Sequence, residues 1–173
     1  SLYHTSDIEA KRLSAQNEIL RDFSREYFLK YVRPEMHILD VGCADGSNIC
    51  MRLDGIDYAA LLGVDIDEGQ INKANEQYGS EKNKFIACDV LHNSFDDIVS
   101  DYVDDNEITG FDIIHVSAVL LHLSEPIKLL HLLRRFLKKN GYIFIQDEDD
   151  GANLVYPNSL FFDRAFAIWA DSK

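Results

Sequence analysis

A chain of 173 residues with 46% hydrophobic content has the size and apolar fraction of one globular domain with a sizeable core. Its formal net charge of −13 and pI near 4.7 repel phosphate backbones, so nucleic acid is not the expected partner. No apolar run is long enough to span a bilayer and no signal-peptide pattern opens the chain, so no membrane partner is expected either.

Three cysteines, Cys43, Cys50 and Cys88, form no Cys-x-x-Cys pair, which predicts a reducing, cytoplasmic setting without disulfides. The histidines lack metal-ligand spacing, so no metal is expected. The one dense basic patch, Arg134, Arg135, Lys138 and Lys139, reads as the cationic end of a helix.

Ser6 and Glu9 form a capping box that opens a helix running to about Tyr31. Ile8, Ile19 and Phe23, with Leu13, Leu20 and Tyr27, give it an apolar stripe, and Pro34 lies beyond its end. His37 to Gly42 is an apolar run broken by glycine, and predicts the first strand. A helix over Ser47 to Leu53 follows, then a strand over about Tyr58 to Asp65. Asp67 and Gln70 make a second capping box for a helix reaching about Tyr78. A third strand is expected over Lys84 to Cys88. A short helix is expected between Ser94 and Val103, in an acidic stretch that is partly loop.

Phe111 to Ser117 predicts a fourth strand. The next helix starts near Ser124 and Pro126. It is expected to bury Ile127, Leu130, Leu133 and Leu137, and to stop at Asn140-Gly141. A fifth strand over Tyr142 to Gln146 and a last helix over about Asn158 to Ala170 complete the reading. Strands alternating with helices imply parallel βαβ units. The apolar runs Ile113-Ile114 and Ile143-Phe144-Ile145 suit a sheet covered on both faces. Ligands of such sheets bind at the carboxyl ends of the strands.

Those ends carry the chemistry. Asp40-Val41-Gly42-Cys43-Ala44-Asp45-Gly46 closes the first strand, where glycine permits a tight turn and close backbone approach. Its spacing is not that of dinucleotide folds, which disfavours a nicotinamide-dependent oxidoreductase. Asp65 closes the second strand, 23 residues after Gly42, where a carboxylate can accept from both hydroxyls of a ribose. Asp89 closes the third strand, placed either to accept from an adenine amine or to cap a loop.

With these strand ends in hand, the sequence resembles the class I S-adenosylmethionine-dependent methyltransferases. Ile38 to Gly46 is similar to their glycine-rich motif, Gly63-Val64-Asp65-Ile66 to their acidic second strand end, and Cys88-Asp89-Val90 to their adenine contact. Phe111 to Ser117 with Leu120 to Leu123 resembles their fourth strand and its loop. Two departures stand out: Ala44 replaces the commonest middle glycine, and Asn140 replaces a Pro-Gly lead.

The resemblance implies a Rossmann-like α/β core with parallel sheet order 3-2-1-4-5 and helices on both faces. It implies S-adenosyl-L-methionine as cofactor, held by Asp40, Gly42, Cys43, Ala44, Gly46, Asn48, Asp65, Ile66, Gln70, Asp89, Val90, Val116 and Ser117.

The opening, with Tyr3, His4, Ser6, Glu9, Arg12, Leu13 and Gln16, resembles one small-molecule branch of that family. It implies that residues 1–33 form a helical lid over a core of residues 34–173. Tyr3 and Arg12 would then reach the cofactor, with Arg12 toward its carboxylate; alternatively Arg12 is an exposed side chain of an amphipathic helix. His4, Asp149 and Asp150 would face a small-molecule acceptor at an O, N or C atom. His122 is the better general-base candidate, and His115 reads as a core histidine. The alternative function is a catalytically silent cofactor-binding module working through a protein partner. A C-terminal strand pair typical of the fold is missing, which predicts a longer protein or a homodimer through the fifth-strand edge.

Overall fold

The computed structural model describes residues 25–92 and 94–147. Residues 25–31 are helical, and the helix ends ahead of Pro34 as expected. There follow β1 (His37–Val41), α1 (Ser47–Leu53), β2 (Ala60–Asp65), α2 (Glu68–Tyr78), β3 (Asn83–Ala87) and α3 (Ser94–Asp105). Then come β4 (Phe111–Ser117), a 3-10 turn (Leu120–His122), α4 (Pro126–Phe136) and β5 (Leu137–Gln146).

The five strands form one sheet in the order β3-β2-β1-β4-β5, with every neighbouring pair parallel. Each strand-to-strand connection crosses over through a helix, so the helices cover both faces. The order reverses direction on either side of β1, which opens a crevice at the carboxyl ends of β1 and β4.

Side-chain alternation along the strands divides the core. Leu39, Val41, Leu62, Val64, Ile114 and Val116 point to one face and meet Phe95, Val99 and Tyr102 of α3 and Leu129, Leu133 and Phe136 of α4. Ile38, Leu61 and Ile113 point to the other, against Phe28, Val32, Ile49 and Leu53, with Ile71 and Ala74 of α2. The 3.6-residue period explains each helix: Phe95, Val99 and Tyr102 recur at spacings of four and three on one side of α3, and the acids Asp97, Asp101, Asp104 and Asp105 take the exposed side. The acidic stretch is therefore an amphipathic helix as far as Asp105, and Asn106 and Glu107 form the turn that follows.

Five expectations need correction. α4 does not continue to Asn140-Gly141: it ends at Phe136, and Leu137 is already extended. The reason is a bulge that the local pattern does not reveal. Phe111 pairs with Leu137 and Ile113 with Tyr142, so residues 138–141 bow out opposite Asp112. Asn140 takes a left-handed conformation at the tip (φ 72°). Asp112 anchors the bow, its Oδ2 accepting from Lys138 Nζ at 2.8 Å and from the His37 amide at 2.9 Å.

The inward face of α4 is consequently Leu129, Leu133 and Phe136, while Ile127 is 62% exposed and Leu130 and Leu137 are half-buried. Lys138 and Lys139 belong to β5 rather than to a helix end, leaving only Arg134 and Arg135 in the last turn of α4. Lastly, Tyr27 is half exposed and the neighbouring Phe28 is the buried ring, and Ile145 of β5 is 48% exposed rather than covered. The expected helix cap at Ser6 and the last helix lie outside the described residues.

No described helix is long and apolar enough to cross a membrane.

The revised α4 face has a direct consequence. Leu129→Ala should cost roughly 2–5 kcal/mol as a core cavity, whereas Ile127→Ala should stay within about 0.5 kcal/mol as a surface change. Urea denaturation of the two variants distinguishes this face from the one that sequence periodicity selects.

Candidate functional site

The turn after β1 is held by the end of β2. The Gly42 and Cys43 amides both donate to the Val64 carbonyl, at 2.8 and 3.0 Å. The Ala44 amide donates to Asp65 Oδ2 at 2.9 Å, and the Asp67 amide donates to Asp65 Oδ1 at 2.9 Å. Each carboxylate oxygen of Asp65 thus receives one backbone N–H and keeps further acceptor capacity. The side chain is fixed in place and still able to accept from a ligand.

Three residues in this turn have left-handed backbone: Gly42 (φ 74°), Ala44 (φ 47°) and Gly46 (φ 75°). Alanine at position 44 therefore adopts a conformation that glycine takes more readily, at a cost of roughly 1–2 kcal/mol. At Gly42 the requirement is stricter, because a Cβ would sit 2.2 Å from Val119 Cγ2. Val119 follows β4, so Gly42 is where two strand-end loops close on one another. Asp45 accepts from the Ser47 amide at 3.1 Å and from its hydroxyl at 2.5 Å, covering the first turn of α1. Asn48 lies half-buried in that same turn.

Beside Asp65, Ile66 is 72% exposed. Asp67 caps α2 by accepting from the Gln70 amide at 3.1 Å, so Gln70 serves the cap through its backbone. At the end of β3, Asp89 Oδ1 accepts from the Leu91 amide at 2.9 Å, while Leu91 itself is 51% exposed. Of the two roles that its sequence leaves open, the structure thus shows Asp89 in that of a loop cap. Leu91 is not among the candidates read from the sequence; its signal is a large apolar side chain two residues after a strand-end acid.

Several site residues sit deeper than expected. Asp40 is 2% exposed, and its Oδ1 lies 2.6 Å from Nδ1 of His115, which is also 2% exposed. His115 is a core histidine with a carboxylate partner, not a base facing an acceptor. Cys43 points into the core, where burial, reinforced by Asp40 and Asp65, pushes its thiol far above the ordinary range. It can offer a ligand only its backbone. Val116 is fully buried in the face shared with α3 and α4, so its side chain is packing rather than a ligand contact. Val90 is partly buried against the same face.

Ser117 closes β4, and Ala118 follows in a left-handed conformation (φ 54°), its amide donating to the Gln146 carbonyl at 2.9 Å. His122 is exposed at the end of the 3-10 turn, its amide donating to the Val119 carbonyl at 3.0 Å. The structure thus gathers Asp40, the Gly42 turn, Asp65, Asp89, Ser117 and the loop carrying His122 at the carboxyl ends of parallel strands. Tyr3, His4, Arg12, Asp149 and Asp150 lie outside the described residues. Among the described residues, no cluster of His, Cys, Asp or Glu could hold a metal ion.

The methyltransferase domain family matches residues 33–166, most of the chain. The chain belongs to this family. An uncharacterized methyltransferase of Schizosaccharomyces pombe is 29% identical over 137 residues, covering 79% of this chain and 49% of the relative. The chain thus spans about half the length of that curated relative. Among solved structures, the plantazolicin methyltransferase BpumL, in complex with a triazolic substrate analogue and SAH, superposes with TM-score 0.61 at 24% identity, covering 84% of this chain and 55% of BpumL. The [4+2]-cyclase SpnF superposes with TM-score 0.56 at 18% identity, covering 79% of this chain and 49% of SpnF. The fold is the Rossmann-like class I methyltransferase fold, with the expected order 3-2-1-4-5.

The closure of Gly42 against Val119 is open to a direct stability test. Gly42→Ala combines a left-handed alanine with an overpacked contact, and should cost roughly 2–5 kcal/mol. Adding Val119→Ala should recover the contact part and leave the backbone part. Denaturation midpoints of the single and double variants check this, and equal losses in both would disprove the closure.

Proposed function

We infer that this domain binds S-adenosyl-L-methionine along the carboxyl edge of β1–β3 and directs methyl transfer to an O, N or C nucleophile of a small molecule. The observation that carries the reading is Asp65, a strand-end carboxylate with each oxygen pinned by one backbone amide and capacity left on both. Its surroundings fit the cofactor. A vicinal diol matches a fixed two-oxygen acceptor. The exposed side chains of Ile66 and Leu91 offer apolar surface for a purine beside Asp65 and Asp89.

When bound, S-adenosylmethionine supplies an electrophilic methyl group on a sulfonium. The protein's part is to orient and to exclude water. Asp65 would hold the ribose and Asp89 the adenine amine, with the left-handed turn from Gly42 to Gly46 shaping the edge beside them. The loop after β4 would bound the acceptor side, with Ser117 at its base and the exposed His122 ring as the group able to take a proton. In the same reading Tyr3 and Arg12 close over the cofactor from a lid of residues 1–33, and His4, Asp149 and Asp150 face the acceptor. The free cysteines support a reducing, cytoplasmic setting.

Calorimetry with S-adenosylhomocysteine tests the cofactor assignment. Asp65→Ala should lose about 1.5–3 kcal/mol of binding free energy, the usual worth of hydrogen bonds to a charged group. Unchanged affinity in that variant rules out the ribose role. A panel of small nucleophiles with the methylated cofactor then separates an enzyme from a silent binding module. His122→Ala should lower turnover about 10²–10⁴-fold if its ring is the proton acceptor.

A further inference from the structure

The cluster beneath the glycine turn contains more charge than a packed core needs. Asp40 and His115 occupy matched positions on the paired central strands β1 and β4, both 2% exposed, with Nδ1 and Oδ1 2.6 Å apart. On the same side of the sheet, Arg52 of α1 is fully buried. Its Nη1 donates to the Asn48 carbonyl at 3.0 Å, and its Nη2 donates to Gln146 Oε1 at 3.1 Å, at the end of β5. Burial lowers the Arg52 pKa, and the Asp40 charge opposes that shift. Phe28 meets the His115 ring edge-on at 5.3 Å and closes the cluster from the N-terminal helix. Five elements thus converge on two buried side chains of opposite charge and an imidazole.

We propose that His115 and Arg52 are positioning residues for the amino-acid end of the cofactor, acting through Asp40 and Gln146. This rests on the cofactor assignment made above. Strand order supplies the location. With Asp89 at the end of β3 and Asp65 at the end of β2, a ligand laid along the crevice places its remaining end over β1 and β4, where this cluster lies. That end carries an ammonium and a carboxylate, and a dry pair of opposite charges sets a field of the matching kind. His115 donates from Nδ1 and so fixes which Asp40 oxygen is engaged below the turn. Arg52, locked onto Gln146, ties α1, whose first turn carries Asn48, to the end of β5. Replacing such a network by hydrocarbon often leaves stability unchanged or raises it, so stability alone gives little reason to bury it.

The test compares two ligands on the same variants. S-adenosylhomocysteine carries the amino acid, and 5′-methylthioadenosine is the same nucleoside thioether without it. His115→Leu and Arg52→Leu should each weaken S-adenosylhomocysteine at least ten-fold by calorimetry and hold 5′-methylthioadenosine within about three-fold. His115→Asn keeps a donor near the Nδ1 position and should retain S-adenosylhomocysteine affinity. His115→Gln moves the donor toward the Nε2 position and should lose it. This polar pair carries the test if the leucine variants do not fold. Parallel loss of both ligands, or equal affinity in the Asn and Gln variants, overturns the positioning role. A wild-type domain that binds neither ligand overturns the cofactor assignment instead.

Discussion

The turn leaving β1 is bonded to the end of β2, and the site depends on that connection. Three consecutive amides, those of Gly42, Cys43 and Ala44, all point toward β2, two to a carbonyl and one to a carboxylate. Such an arrangement requires the chain to curl with left-handed residues, which is why Gly42 and Gly46 flank an alanine that accepts strain. The curl does two things at once. It satisfies amides that would otherwise be orphaned past the strand end, and it holds the Asp65 carboxylate still. A ligand meeting Asp65 therefore finds an acceptor whose rotamer entropy is already spent.

The two faces of the sheet carry different duties. The face under α3 and α4 is uniformly apolar, with stacked and edge-on rings at Tyr102–Phe111 and Phe95–Phe136. The opposite face begins as apolar packing around Ile38, Leu61 and Ile113. It turns polar towards the carboxyl ends, where Asp40, His115 and Arg52 replace hydrocarbon. Desolvating a charge costs several kcal/mol, so the chain compensates locally with the short Asp40–His115 contact and the Arg52–Gln146 bond. The polar cluster lies near the glycine turn while the mechanical core lies beneath it.

Much of this was legible in the sequence, for reasons that also explain the exceptions. β1 to β4 were readable because each carries an apolar run, ended in the first three by glycine or aspartate, and parallel strands buried on both faces need such runs. Asp65 and Asp89 were readable as strand-end acids because a carboxylate there interrupts an apolar run, whereas Asp40 lies inside β1, buried against His115. The α4–β5 boundary was not. Leu137-Lys138-Lys139-Asn140-Gly141 suits a helix C-terminus, and Asn in a left-handed conformation serves a helix end and a strand bulge equally well. The deciding contact, Lys138 to Asp112, joins residues 26 apart. Arg52 was equally hidden: an arginine near a helix end reads as surface, and only the topology that brings Gln146 over α1 buries it.

The same bulge changes the meaning of the basic stretch that spans the end of α4. Two of its cations are neutralised by the fold: Arg135 meets Asp96 of α3 at 2.9 Å, and Lys138 meets Asp112 at 2.8 Å. The first pair is exposed and contributes little stability. The second is mostly buried and holds the bulge, so it is part of the sheet's architecture. What remains beside the groove formed by Ile127, Leu130, Leu137 and Ile143 is Arg134, Lys139 and His131. The sequence read these residues as one cationic helix end, but the structure divides them between a helix terminus and a strand. Electrostatics in this region therefore acts within the fold, fixing where β5 begins and hence where Gln146 ends up beside Arg52.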